Sequence, residues 1–235
     1  MSLSLSILFL SASILGFEIV VIRLLAISHW QPFVTLAIST ALLGYGLSGS
    51  ILGRFREQAF AGRHYLYPAL SATATLIYRP VIFASAKLHL DPGLIIRDPY
   101  QWLKVGLLVA LLALPFTIAS GALALPLLER SSVGRYYGWN FVGAAVGVLA
   151  VLAVLGALPP EDLPRIPVLL AGLAVITSMV HFNRGKVRRA VYATAIVIPS
   201  LLYPSSAAVY GPYKDISYAL KLPDSRIQAS RAARR

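Results

Sequence analysis

The chain has 235 residues, of which 57% are apolar and 13% are charged, and its mean hydropathy is +0.73. Soluble domains average about 45–50% apolar and about 25% charged residues, so a soluble protein of this composition would expose large apolar patches. The composition therefore excludes a soluble globular protein and predicts an integral membrane protein whose main partner is the lipid bilayer.

The net charge is +12, from 21 basic and 9 acidic residues. The basic residues lie in short runs between apolar segments, as in the loops of membrane proteins, and leave no basic surface for a nucleic acid. The chain has no cysteine, which excludes disulfides, iron–sulfur clusters and thiol chemistry.

Long uncharged stretches predict an all-α fold, because about 20 helical residues span the roughly 30 Å of hydrocarbon in a bilayer. Residues 1–209 are expected to form one transmembrane domain, followed by a basic extramembrane tail over 210–235. No cleaved signal peptide is expected, since the start has no basic side chain and the apolar run continues past Gly16. The predicted bundle has about seven transmembrane helices, over 3–28, 33–53, 65–87, 104–128, 134–158, 165–183 and 189–209.

The distribution of basic residues predicts which ends of the helices face the cytoplasm. The second, fourth and sixth loops hold nine Lys and Arg residues, and the first, third and fifth hold four. The N-terminus is therefore expected inside, in a cell membrane of the bacterial inner-membrane type. Seven crossings put the tail outside, although the tail is the most basic segment. The nine residues are Arg54, Arg56, Arg63, Arg130, Arg135, Arg184, Lys186, Arg188 and Arg189, and the four are Lys87, Arg97, Lys104 and Arg165.

Two predicted helices each carry small residues along one face. Small residues drive helix association in lipid by letting two backbones approach closely. The pattern predicts packing inside one bundle, and it also allows association with a second copy or another membrane protein. No strand precedes either glycine run, which excludes a phosphate-binding loop. The two sets are Gly46, Gly49 and Gly53 in the second helix, and Asn140, Gly143 and Gly147 in the fifth.

Three charged residues fall well inside predicted spans and away from the span ends, where ionisable side chains are costly and usually face the bundle interior. At 1.5 Å per residue, Glu18 lies about 15 Å and Arg79 about 12 Å from the outer ends of their helices. The matching depth predicts an ion pair between Glu18 and Arg79, with Arg23 extending toward the interface. A structural ion pair and a substrate or proton site both remain open for this pair.

No catalytic, metal or cofactor site is predicted. All four histidines lie near the ends of predicted spans, with His29 and His89 at the outer boundary and His64 and His181 at the inner one. This placement argues against a haem held between helices. His29, His89 and Asp91 offer only a weak metal-ligand set, and no residue grouping suits hydrolysis.

Several motifs resemble the N-terminal transmembrane domain of the membrane-bound spermidine-synthase-like proteins. The run GFEIVVIRLL (16–25) is similar to the first helix of that family, and GRYYGWNFVGAAVG (134–147) to its tyrosine–asparagine–glycine helix. The segment GPYKDIS (211–217) resembles the entry to the family's enzyme domain, with Gly211 in place of the usual serine.

The resemblance implies an aminopropyltransferase-like Rossmann domain after the membrane domain. Such a domain needs well over 100 residues, and about twenty follow Tyr213. We therefore expect either the membrane half alone or a chain that ends before the catalytic half, and in both cases no enzymatic activity of this chain alone.

The expected function is a non-catalytic anchor, scaffold or accessory subunit, with other membrane subunits or a second copy as partners. The alternative is a small-solute carrier, for example of polyamines. Carriers are commonly built from repeated halves, whereas the fourth predicted helix has no counterpart to Glu18 or Arg23. A third reading, an enzyme within the bundle, has no residue grouping to support it.

Overall fold

The computed structural model describes residues 2–28, 31–88, 90, 97–129 and 132–181. Within these residues every regular element is an α-helix. Five of the six helices, α1 to α5, are long and apolar enough to cross a membrane, and α6 is a shorter apolar helix. The described fold is all-helical, with five candidate membrane spans. The helices are α1 (Ser2–Ser28), α2 (Gln31–Arg54), α3 (Arg56–Lys87), α4 (Pro99–Leu127), α5 (Val133–Val154) and α6 (Arg165–His181).

The third helix differs most from its predicted bounds, because α3 begins at Arg56 and not at residue 65. Its first two turns are charged, which the sequence analysis interpreted as a loop. Charged Arg and Glu residues are nevertheless good helix formers, and Phe55 alone separates α3 from α2. The predicted seventh helix (189–209) and the tail (210–235) lie outside the described residues, as do His29, His89 and Asp91.

Helix α1 forms the centre of the described bundle and contacts each of the other five helices. Its buried side chains include Ile7, Leu10, Ile14 and Phe17, all within 1% of complete burial. A helix that is apolar on all sides suits such a central position. The other helices surround α1, with α2 and α4 packed on each other and α3 between α4 and α6.

Serine hydroxyl groups connect α1 to the helices around it. Ser6 donates a hydrogen bond to the carbonyl oxygen of Ala174 in α6 at 2.7 Å. Ser13 donates to the carbonyl oxygen of Pro167 in the same helix at 2.7 Å. Ser11 donates to the carbonyl oxygen of Asn140 in α5, also at 2.7 Å. Such bonds hold helices together where no water competes for the hydroxyl group.

Aromatic rings fill the space between the four helices α1 to α4 near the middle of the bundle. Phe17 and Tyr78 stack with ring centroids 4.1 Å apart and an interplanar angle of 14°. Phe116 tilts against Phe17 at 5.4 Å, and Tyr45 meets the edge of Phe116 at 6.2 Å. These contacts give the middle of the bundle a packed aromatic core.

Candidate functional site

The three charged residues predicted inside the membrane lie on two different helices. Glu18 and Arg23 are half-buried on α1, and Arg79 on α3 is 4% exposed. The Glu18–Arg79 ion pair stays a prediction.

The glycines of α5 pack directly against the backbone of α1. A methyl group at residue 143 would overlap the backbone of Leu8, and one at residue 147 would overlap that of Ala12. Asn140 joins the same contact through its carbonyl oxygen, which accepts the Ser11 hydroxyl. Here the absence of a side chain is what allows the two helices to approach closely.

The glycines of α2 have a different environment. A methyl group at residue 46, 49 or 53 would have no neighbour within 4 Å among the described atoms. Because successive residues turn about 100° around a helix, Ser39, Gly46 and Gly53 share one line along α2 and Gly49 lies close beside it. All four residues are exposed. We refer to Ser39, Gly46, Gly49 and Gly53 as the open face of α2.

Gly44, on the opposite side of α2, has close neighbours in α4. A methyl group at residue 44 would lie 2.6 Å from Cβ of Phe116 and 2.9 Å from the backbone nitrogen of Thr117. Gly44 therefore allows α2 to pack closely on α4. The contacts of α2 with α4 do not use the open face.

A cleft at one end of the bundle brings together four helices. It encloses about 160 Å³, and its walls come from the start of α1, the first turns of α3 and the last turns of α4 and α6. The helices thus alternate in direction, as consecutive membrane crossings require. The lining residues are Leu3, Arg63, His64, Tyr67, Leu125, Pro126, Glu129 and His181.

The cleft has an apolar base and a polar rim. Leu3, Tyr67 and Leu125 are buried, and the Tyr67 hydroxyl lies 2.9 Å from Oγ of Ser6. At the rim, His64 and His181 are exposed. Arg63 and Glu129 are half-buried there. This arrangement suits a ligand with one charged or polar end and one apolar end.

His181, the last residue of α6, experiences the charges of the rim. Partial burial lowers the pKa of His181, and His64 lowers it further, while Glu129 raises it. Nδ1 of His181 also lies 3.1 Å from Oγ of Ser2. The imidazole is therefore biased toward its neutral form.

Arg63 is the permanently charged residue of the rim. One of its N–H groups donates to the carbonyl oxygen of Phe60 at 2.9 Å, and its guanidinium carbon lies 4.1 Å from the centroid of the Phe60 ring. These contacts fix the guanidinium and use one of its several donors.

The sequence predicts His64 and His181 at the same membrane boundary, but no sequence pattern combines them into one site. The missing information was the neighbourhood of α3 and α6, which no local pattern reveals. Within the described residues, no group of three or more His, Cys, Asp or Glu side chains could hold a metal ion.

Comparisons of the chain with protein families, curated proteins and solved structures found no match.

Proposed function

We propose that this chain is a non-catalytic membrane domain that anchors or scaffolds a larger membrane assembly, as the membrane half of a spermidine-synthase-like protein would. The observation that supports the proposal most directly is the open face of α2. Helix–helix contacts in lipid depend on close backbone approach at small residues, and the open face offers such residues without a neighbour among the described atoms.

The contrast between the two glycine sets favours a partner helix. Gly143 and Gly147 are already occupied by the backbone of α1, so they hold the bundle itself together. Gly49 and Gly53 of the open face repeat the four-residue spacing of Gly143 and Gly147, and both are exposed. A helix from another subunit, a second copy of this chain or the predicted seventh helix would each fit such a face, and the first two define the proposed function.

The proposal includes a seven-helix bundle with a cytoplasmic N-terminus in a cell membrane of the bacterial inner-membrane type. The start of α1 and the end of α6 lie at the same end of the bundle, as six alternating crossings require, and the excess of basic residues in the even loops is what assigns that end to the cytoplasm. Cysteines introduced singly at Arg56 and Arg97 should react with a membrane-impermeant reagent from opposite sides, and reaction from the same side would contradict the orientation.

Two matched variants test the proposed function. Gly46→Leu fills the open face, and Gly106→Leu makes the same change at an exposed glycine of α4 that also has no described neighbour. We expect Gly46→Leu, and not Gly106→Leu, to reduce the size of the complex extracted from its native membrane in mild detergent.

Uptake of labelled spermidine distinguishes the scaffold from the carrier. Vesicles containing the purified chain should show no uptake of labelled spermidine above that of empty vesicles. Uptake that is abolished by Glu18→Gln would contradict the scaffold and establish a carrier. An unchanged complex size in Gly46→Leu would remove the main support for the proposal.

A further inference from the structure

We propose that the cleft between α1, α3, α4 and α6 binds the phosphodiester headgroup of an anionic phospholipid. The proposal rests on the residues of the cleft and is independent of the assembly proposed above.

The cleft lies at the level where headgroups are found. Leu3 is in the first turn of α1, Glu129 follows the end of α4, and His181 is the last residue of α6. The apolar part of each of these helices thus ends at the cleft. Lipid phosphates occupy the corresponding layer of a bilayer, just outside the hydrocarbon.

Helix α3 supplies the charge for this binding. Helix α3 begins at Arg56, about two turns before Arg63. Arg63 therefore lies within the helix, and we place it at the boundary between the hydrocarbon and the headgroup layer. The contact with the Phe60 carbonyl and ring orients the guanidinium. Arginine binds phosphate oxygens through parallel N–H groups, and basic pockets between transmembrane helices are known to bind anionic lipid headgroups.

The polar rim favours a phosphodiester over inorganic phosphate. Glu129 places a negative charge on the same rim as Arg63, His64 and His181, and a ligand with two negative charges would be repelled more strongly. A phosphodiester carries one negative charge, whereas a phosphate monoester carries about 1.5 to 2 at neutral pH. The N–H groups of the His64 and His181 imidazoles can donate hydrogen bonds to phosphodiester oxygens.

The size of the cleft also suits a headgroup. Its volume of about 160 Å³ is below the roughly 300–1,000 Å³ of pockets that enclose drug-sized ligands, so the cleft suits a phosphate group and not a whole lipid. The acyl chains would then lie on the outer surface of the bundle. Leu66 and Val180, each adjacent in sequence to a cleft residue, expose apolar side chains there.

The test uses the full chain in nanodiscs of phosphatidylcholine, with or without phosphatidylglycerol. Native mass spectrometry counts the lipids that remain bound, and thermal unfolding measures stabilisation. Arg63→Gln is compared with Arg135→Gln, which removes an exposed arginine that lies outside the cleft and bonds Ser132. We expect Arg63→Gln to lower phosphatidylglycerol occupancy by about tenfold, as for the loss of one hydrogen bond to a charged group, and Arg135→Gln to leave it unchanged.

Three results would overturn the proposal. The first is an equal loss of phosphatidylglycerol occupancy in Arg63→Gln and Arg135→Gln, which would indicate general attraction of anionic lipid to a basic surface. The second is equal retention of phosphatidylcholine and phosphatidylglycerol by the wild type, a result that stands even if Arg63→Gln does not fold. The third is stabilisation by inorganic phosphate in pure phosphatidylcholine equal to that by phosphatidylglycerol, which would assign the cleft to a free anion.

Discussion

Gly147 of α5 lies so close to Ala12 of α1 that a methyl group at residue 147 would overlap the Ala12 backbone. Gly143, one turn earlier, has the same relationship with Leu8. The two contacts hold α5 on the central helix through backbone proximity, while much of α5 faces outward. Interfaces of this kind tolerate no added volume, because neither backbone can move aside without disturbing its own helix.

Gly147→Ala should therefore destabilise the bundle by about 1–3 kcal/mol, the usual range for overpacking. Gly46→Ala makes the same change on the open face of α2, where the methyl group meets no described atom, and should raise stability by up to about 1 kcal/mol, the helix-propensity difference between Ala and Gly. Unfolding in detergent micelles, followed by circular dichroism, measures both. Equal destabilisation of the two variants would show that residue 46 is also packed within the chain.

The hydrogen bond between Ser6 and Tyr67 joins α1 to α3 beneath the cleft, with 2.9 Å between the two hydroxyl oxygens. A double-mutant cycle of Ser6→Ala and Tyr67→Phe should give a coupling free energy of about 0.6 kcal/mol, the average for such bonds in membrane proteins. A coupling of zero would mean that these hydroxyls contribute independently to stability, with Ser6 acting through its bond to Ala174.

The predicted Glu18–Arg79 ion pair can be tested by the same kind of cycle. If the two residues pair, Glu18→Gln should destabilise more than Glu18→Gln combined with Arg79→Gln, because a single change leaves a buried charge without its partner, at about 3–5 kcal/mol. Additive effects would exclude the pair.

The lowered pKa of His181 predicts a dependence of stability on pH. The imidazole has a pKa of about 6.5 in an unfolded chain and a lower value in the folded one. As the pH falls through about 6.5, the unfolded chain takes up a proton at this position before the folded chain does, so folding stability decreases. Between about pH 7 and about pH 5, wild type should lose more stability than His181→Gln. Equal dependence of stability on pH in wild type and His181→Gln would contradict the lowered pKa of His181.

The transmembrane helices could be predicted from the sequence because length and hydropathy alone determine which segments can span a bilayer. The start of α3 could not, since Arg56 and Glu57 are compatible with both a helix and a charged loop. The two glycine sets had identical spacing, yet Gly147 contacts α1 and Gly46 has no described neighbour. That difference depends on which helices are adjacent, and the local pattern carries no information about it.

The cleft was missed for the same reason. Arg63 and His181 are far apart in the sequence, and only the antiparallel arrangement of α3 and α6 brings them together. The serines of α1 gave a stronger local signal. Ser6, Ser11 and Ser13 interrupt an apolar helix, and polar residues in such a position usually mark contacts between helices.

The open face of α2 is the central element of the proposed scaffold, and site-specific crosslinking tests it most directly. The chain has no native cysteine, so a photoactivatable label can be attached at Gly46→Cys or Gly53→Cys in native membranes. Leu47→Cys and Ile51→Cys are exposed controls on other sides of the same helix. We predict adducts heavier than the single chain at residues 46 and 53 and not at the controls. Labels at residues 46 and 53 that crosslink only to lipid, or only within a single copy of the chain, would contradict the account.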